Sequence, residues 1–125
     1  MPKNKHEPTT VKVSGRVLIV EDSLERAKYF LRMGVRGRFA GTADRAIALL
    51  KTQRFDTIFL DFDLHGEGTG ERVAKFLVEQ RFAGHVVIHS QNALGAQRMS
   101  LLLATTPAKV QVVPIGSMVF QSDDE

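Results

Sequence analysis

The stretch VLIVED at residues 17–22 is the first of four short apolar runs that decide the fold. TIFLDFD at residues 57–63 and VVIHSQN at residues 86–92 also end in polar side chains, and VQVVP at residues 110–114 ends in proline. Such runs predict parallel strands buried on both faces. Because the carboxyl ends of parallel strands share one sheet edge, the polar residues are expected to converge there. They are Glu21, Asp22, Asp61, Asp63, His89, Ser90 and Asn92.

Helix-like segments separate these runs. Ser23 or Asp22 is expected to cap a helix that continues to about Arg32, and Thr42 a second helix over residues 43–51. Two further helices are expected over residues 71–80 and 93–104, and a weak edge strand over residues 35–40. Five strands alternating with four helices, joined by right-handed crossovers, predict an α/β fold, a doubly wound parallel sheet in a three-layer sandwich.

The chain has 125 residues, of which 43% are hydrophobic, and this is enough for one core but too little for two. Residues 1–14 are polar and predict a disordered N-terminal arm. The domain is expected over residues 15–116. Residues 117–125 are expected to be a short C-terminal tail, because the segment after Pro114 has room for one turn of helix at most.

The composition bounds the possible functions. The absence of cysteine excludes disulfides and thiolate metal sites. No apolar stretch approaches the roughly 20 residues that cross a bilayer, and the start lacks the apolar centre of a signal peptide, so we expect a soluble cytoplasmic protein without a membrane partner. The net charge of +3 comes from 17 basic and 14 acidic residues spread along the chain, which disfavours nucleic acid as a partner.

The acidic residues at the predicted edge indicate a metal site. Magnesium prefers oxygen ligands in octahedral geometry and keeps several waters, so carboxylates at one strand edge suit it. A carboxylate such as Asp61 can attack a phosphoryl donor, and a hydroxyl such as Ser90 can hydrogen-bond the resulting oxygens. The alternative is that Asp22 only caps a helix and that Asp61 is a solvated strand end.

The segments VLIVEDSLERA, FDTIFLDFDL and VVIHS together resemble the receiver domain of bacterial response regulators, from Arg16 to residue 115. The resemblance implies a sheet order of 2-1-3-4-5 and a divalent cation, Mg²⁺ or Mn²⁺. It implies that the cation is held by Glu21, Asp22 and Asp61, with Asp63 where a backbone carbonyl usually ligates. It also implies that Asp61 accepts a phosphoryl group from a histidine kinase or another phosphodonor, in two-component phosphorelay signalling.

Two features depart from that family. Receivers carry a Lys before the Pro that follows the fifth strand, and here the position is Val113. Loss of one such charge-stabilising group costs roughly 10²–10³ in rate, so phosphorylation or the switching after it is expected to be impaired. The last helix of the fold is also expected to be truncated, which removes part of the usual output surface.

The segment HSQNALGAQRM at residues 89–99, with LDFDLHGEGTG at residues 60–70, resembles a divergent receiver subgroup described as cyclic-phosphate processing. The resemblance implies an alternative function, a metal-dependent phosphoesterase that acts on a small cyclic-phosphate substrate, either a nucleotide or an RNA end. His89 is then a candidate general acid or base, and Asn92 a candidate phosphate ligand. In the other interpretation His89 is a packed residue, since strand alternation sends it to the face opposite Ser90.

Some assignments stay open at the level of sequence. His65 follows the acidic strand end and reaches either a substrate or solvent. The loop HGEGTG lacks the Lys of a P-loop, and it is read as flexible, with amides near residues 69–71 that could bind an anion. Phe62 either faces away from the crevice or covers its entrance. The receiver function is ranked first, the phosphoesterase second, and a non-catalytic pseudo-receiver that binds a partner third; the oligomeric state is not predicted.

Overall fold

Five strands form one parallel sheet in the computed structural model, which describes residues 8–66 and 68–122. The order across the sheet is β3-β2-β4-β5-β6. The strands are β2 (Val17–Val20), β3 (Arg38–Ala40), β4 (Thr57–Leu60), β5 (His85–Ile88) and β6 (Lys109–Val112). Counted among themselves, the five strands have the predicted order 2-1-3-4-5, so the doubly wound α/β fold is confirmed. Every residue of β2, β4 and β5 is buried, as the continuous apolar runs indicated.

Four α-helices connect these strands: α1 (Leu24–Arg32), α2 (Ala43–Thr52), α3 (Gly70–Glu79) and α4 (Ala93–Leu103). Each begins after a side chain that caps its first turn. The hydroxyls of Ser23, Thr42 and Thr69 accept hydrogen bonds from the amides of residues 26, 45 and 71, and the Asn92 carbonyl oxygen accepts from residue 95. Helices α2, α3 and α4 cover one face of the sheet, and α1 covers the other.

A second, two-stranded parallel sheet lies beside α1. It pairs β1 (Thr9–Val13) with β7 (Met118–Ser122), and a 3-10 turn over Ile115–Ser117 leads into β7. Val11 and Met118 are buried against Phe30 of α1 and Phe59 of β4. This small sheet covers the part of the core that α1 leaves open.

The expected disordered arm and short tail therefore need correction. Residues 9–13 and 118–122 are strands of the folded unit, which extends beyond the expected limits of 15 and 116. The pairing joins positions more than 100 residues apart, such as Val11 and Phe120, so neither segment shows a local signal of it. The remainder of the predicted arm at residues 1–7, and of the tail at residues 123–125, lies outside the described residues.

The helices in the described part of the chain have 9–11 residues, and none of them is long and apolar enough to cross a membrane. After β6, the only helical segment among the described residues is the 3-10 turn over Ile115–Ser117. In the chain, the 3-10 turn and β7 follow β6 in place of a full last helix, as the predicted truncation implied.

Candidate functional site

Three chemically active side chains follow three adjacent strands. Glu21 comes after β2, Asp61 after β4 and His89 after β5. Their amides continue the sheet ladder, since that of Asp61 donates to Val20 at 3.1 Å and that of His89 donates to Leu60 at 3.1 Å. One ligand atom from each of the three side chains lies within 4.8 Å of the others, and all three residues are buried. Of the seven residues expected to converge at the carboxyl edge, these three form the group of mutually close ligand atoms in the described part of the chain.

Glu21 is a buried carboxylate with three donors. Its Oε1 accepts from Arg26 Nε at 2.9 Å and from His89 Nε2 at 3.0 Å, and its Oε2 accepts from the Ser23 amide at 2.9 Å. Burial by itself raises the pKa of this carboxyl, but the hydrogen bonds from His89, Arg26 and Ser23 outweigh it and lower the pKa from 4.5 to about 2. Glu21 is therefore ionised in the folded protein.

Arg26 was not among the candidate site residues identified from the sequence. It contacts three acidic side chains, those of Glu21, Asp22 and Asp61. Besides the bond to Glu21, its Nη2 lies 3.6 Å from Asp22 Oδ1 and 3.5 Å from Asp61 Oδ2. The hydrogen bond to Glu21 raises the pKa of the guanidinium. The i,i+4 spacing from Asp22 on a capped helix is the signal that could have identified Arg26, because that spacing brings the two side chains together.

Asp61 lies at the centre of the edge and is 3% exposed. Burial raises its pKa, and the charge of Glu21 adds to the increase, while His89, a hydrogen bond from Ser90 and the charge of Arg26 oppose it. The raised pKa means that the favourable contacts of the Asp61 carboxylate do not fully offset the cost of burying its negative charge beside Glu21. A further cation at this carboxylate would relieve that cost.

Asp22, Asp63 and His65 surround this centre at different depths. The side chain of Asp22 is 14% exposed, and its Oδ2 lies 3.5 Å from His65 Nε2. His65 stands in the loop after β4 with its side chain 80% exposed. Asp63 is exposed, and neither Asp22 nor Asp63 belongs to the group of mutually close ligand atoms found in the described residues. Asp22 is joined to that group through Arg26, whose guanidinium contacts Asp22 as well as Glu21 and Asp61.

Ser90 and Asn92 shape the turn between β5 and α4. The Ser90 hydroxyl oxygen accepts from the Asn92 amide at 3.1 Å, and the Asn92 side-chain carbonyl accepts from the Gly95 amide at 2.9 Å. Asn92 is thus the helix cap, and only its NH₂ group is left to meet a ligand. Hydrogen bonding from Ser90 is one of the influences that lower the Asp61 pKa, so the Ser90 hydroxyl lies near the acidic centre.

His89 is buried between the acidic centre and Phe30. Its side chain has no exposed surface, and its ring packs edge-on against Phe30 with centroids 5.4 Å apart. Nε2 donates to Glu21, and Nδ1 has no hydrogen-bond partner within the part of the chain that the structure describes. This placement favours a role in positioning Glu21 over a role as general acid or base.

Two other features of the HSQNALGAQRM segment are explained by packing. A methyl group at Gly95 would collide with the ring of Phe62, so the glycine allows this half-buried ring to lie against α4. Met99 is fully buried and its sulfur lies beside Gly70, the first residue of α3. Phe62 therefore faces α4 and the core.

The loop after β4 gives little support to anion binding at the start of α3. The amide of Gly70 donates to the Phe62 carbonyl at 2.7 Å, and that of Glu71 donates to the Thr69 hydroxyl. Gly66 and Gly68 have positive φ angles of 80° and 87°, a conformation that glycine adopts without strain. Residue 67 lies outside the described part.

Val113 supplies no cation to the site. Its side chain is 2% exposed and belongs to the apolar cluster that also contains Val11 and Met118. The strands β1 and β7 cover this cluster, so an apolar residue at position 113 fits its surroundings.

Comparison with known structures supports the fold. A CheY-like response regulator receiver domain from Methanospirillum hungatei is 20% identical, with 82% of this chain and 83% of that chain covered at a TM-score of 0.61. The receiver domain of NtrX from Brucella abortus is 23% identical, with 78% and 85% covered at a TM-score of 0.60. The response regulator TrrA from Thermotoga maritima, solved in complex with Mg²⁺ and beryllium fluoride, is 17% identical, with 77% and 84% covered at 0.59. A search of curated proteins gave no significant match.

The family is established by a different comparison. Residues 17–105, which span the sheet from β2 to the end of α4, match the model of the cyclic-phosphate processing receiver domain. The match includes Glu21, Asp22, Asp61, His89 and Asn92 of the site. The chain therefore belongs to the cyclic-phosphate processing receiver domain family.

Proposed function

We propose that this chain is a receiver domain of the phosphorelay type in which Asp61 accepts a phosphoryl group. The observation that carries the proposal is the place of Asp61: a buried carboxylate at the centre of the sheet edge, between Glu21 and the hydroxyl of Ser90. Neighbouring groups fix such a carboxylate, which favours attack from a defined direction.

The donor set fits a magnesium or manganese ion. Glu21, Asp22 and Asp61 offer carboxylate oxygens at one edge, and hard divalent cations prefer such ligands. The raised pKa of Asp61 supports a cation site, because burial and the Glu21 charge destabilise the ionised carboxylate despite Arg26, and a divalent ion would stabilise it. Asp63 would contribute through its backbone carbonyl. When bound, the ion neutralises charge on the transferred phosphoryl group.

In the transfer, one carboxylate oxygen of Asp61 attacks the phosphorus of a phosphorylated histidine on a kinase, or of a small donor such as acetyl phosphate. The new O–P bond forms while the bond from phosphorus to the donor atom breaks, and that atom keeps the electron pair. The Ser90 hydroxyl and the NH₂ group of Asn92 are placed to donate to phosphoryl oxygens. His89 acts by holding Glu21.

Hydrolysis of a cyclic phosphate is the second candidate, and the family description together with the HSQN segment favours it. Water would attack the phosphorus, one ester bond would open, and the released oxygen would take a proton. The burial of His89 under Glu21 counts against this histidine as the proton donor. The exposed His65, 3.5 Å from Asp22, is the better-placed candidate for that step.

Incubation with Mg²⁺ and acetyl phosphate tests the first function. Intact mass spectrometry is expected to find one phosphoryl group on the wild type and none on Asp61→Asn. Asp63→Asn is the matched control, since it removes an exposed carboxylate two residues away and is expected to leave the adduct unchanged. The absence of an adduct on the wild type, in a protein shown to bind Mg²⁺, would place cyclic-phosphate hydrolysis first. The absence of both adduct and Mg²⁺ binding would leave the pseudo-receiver.

A phosphorelay role also implies a partner and a compartment. We propose a histidine kinase or its phosphotransfer domain as the phosphodonor, and the cytoplasm as the location. Both follow from the receiver function, and a pull-down of phosphorylated kinase with wild type and Asp61→Asn would test the first.

A further inference from the structure

We propose that Arg26 alternates between two partners at this site. Without a metal its guanidinium serves as the cation of the acidic cluster, and after a divalent ion and a phosphoryl group have entered it binds the phosphoryl oxygens. It thereby takes the role that Val113 leaves vacant. The inference rests on the proposed function for its second half, since that half needs a phosphoryl group on Asp61.

The contacts of Arg26 carry the first half. Its guanidinium lies 2.9 Å from an oxygen of Glu21, 3.6 Å from one of Asp22 and 3.5 Å from one of Asp61. Two of these three carboxylates are buried and would otherwise repel each other. The guanidinium thus occupies the space that these oxygens enclose and partly neutralises it.

A divalent ion needs the same oxygens. Magnesium binds oxygen at about 2.0–2.1 Å in octahedral geometry. An ion at the oxygens that Arg26 contacts would therefore displace the guanidinium. The two cations also repel each other. Arg26 must therefore withdraw when the ion binds, and the ion must compete with it.

The side chain has a short path to the phosphoryl group. Arg26 is 32% exposed, so one side of it faces solvent, and its Nη2 already lies 3.5 Å from Asp61 Oδ2. A phosphoryl group on Asp61 would add oxygens close to this position. The planar guanidinium fork matches phosphate oxygens in a bidentate contact, a geometry that a lysine cannot offer.

Other cations near the centre are worse placed. Among the described residues, His89 is enclosed beneath Glu21, and the ion pairs of His65 include only Asp22. Val113 is apolar and buried. Of the described residues, Arg26 is the partly exposed cationic side chain that lies within 4 Å of both Glu21 and Asp61.

The proposal predicts opposite effects of one substitution on two ligands. In Arg26→Gln the competing charge is gone, so Mg²⁺ is expected to bind about three- to tenfold more tightly. The same variant loses the phosphoryl contact, so uptake of beryllium fluoride in saturating Mg²⁺ is expected to weaken by about tenfold or more. Arg32→Gln is the matched control, because it removes the same charge from the exposed end of α1. It is expected to change neither quantity.

Calorimetric titration with MgCl₂ measures the first quantity, and fluorine NMR of bound beryllium fluoride measures the second. Arg26→Lys keeps the positive charge but lacks the planar guanidinium. It is expected to bind Mg²⁺ like the wild type and to take up beryllium fluoride more strongly than Arg26→Gln but less strongly than the wild type. Thermal melts by circular dichroism show whether each variant is folded. If Arg26→Gln is not, Arg26→Met, which also removes the charge, replaces it in the magnesium titration, and Arg26→Lys tests the second half.

Unchanged or weaker Mg²⁺ binding in folded Arg26→Gln would overturn the first half. Unchanged uptake of beryllium fluoride in folded Arg26→Gln would overturn the second half, the contact between Arg26 and the phosphoryl group. If the wild type itself takes up no beryllium fluoride in Mg²⁺, the proposed phosphoacceptor function fails and the second half fails with it. The magnesium titration still decides whether Arg26 competes with the ion, so the two failures are distinguishable.

Discussion

Replacement of Glu21 by glutamine is expected to remove most of the acid sensitivity that this site gives the fold. The folded-state pKa of Glu21 is about 2, below its ordinary value of 4.5. A group with a lowered folded-state pKa contributes stability above its unfolded pKa and loses it as the pH falls through the folded one. The difference of about 2.5 units corresponds to about 3 kcal/mol.

The stability that ionised Glu21 contributes is lost over a defined pH range. Linkage gives about 2 kcal/mol lost near pH 3 and about 3 kcal/mol near pH 2, relative to neutral pH. The raised pKa of Asp61 acts in the opposite direction, because stability from that group falls as pH rises through the raised value. Part of that increase comes from the Glu21 charge, so Glu21→Gln also relieves Asp61 at neutral pH. About 3 kcal/mol is therefore an upper limit.

Urea unfolding followed by far-ultraviolet circular dichroism suits this chain, which has one Tyr and no Trp. The quantity to follow is the difference in the free energy of unfolding between wild type and Glu21→Gln, from about pH 7 to pH 2. We expect this difference to shrink by up to about 3 kcal/mol as the pH falls. Glu25→Gln, an exposed change on α1, is the control. A difference that stays constant or grows toward acid pH would refute the reasoning.

Three further predictions concern packing and charge. Gly95→Ala places a methyl group against an aromatic ring and is expected to destabilise by about 1–3 kcal/mol in urea unfolding, whereas Gly116→Ala, with no heavy atom within 4 Å in the described structure, is expected to be near neutral. Met118→Ala opens a cavity under β7 and is expected to cost about 2–4 kcal/mol, against less than about 0.5 kcal/mol for exposed Val119→Ala; equal costs would contradict the packing of β7. Asp61→Asn is expected to raise the melting temperature of the metal-free protein at neutral pH, since burial and the Glu21 charge raise the Asp61 pKa. A lower melting temperature would mean that the Arg26 ion pair outweighs that cost.

Local patterns predicted the central architecture well. The apolar runs that became β2, β4 and β5 need only burial on both faces, and the caps at Ser23, Thr42 and Asn92 act within three residues of their partners. Parallel pairing then placed Glu21 and Asp61 at one edge. Such signals depend on residues close together in the chain, so they can be recognised from the sequence alone.

Features that depend on distant residues were not readable in this way. The pairing of β1 with β7 joins segments more than 100 residues apart, and residues 9–13 carry no sign of which segment they pair with. The sequence left two interpretations of His89, and the position of Phe30 under the sheet edge favours the packed one.

The sequence by itself determined the parallel α/β sheet and the acidic edge, because strand burial, helix capping and the polarity of strand ends are local properties. The tertiary structure decided which cation faces those carboxylates. Arg26 enters the cluster because α1 packs with its first turn over the carboxyl ends of β2 and β4, bringing one long side chain within 4 Å of three acids. Val113 became part of the core because β1 and β7 cover it. Both outcomes depend on the packing of elements far apart in the chain, which side-chain type and spacing do not specify.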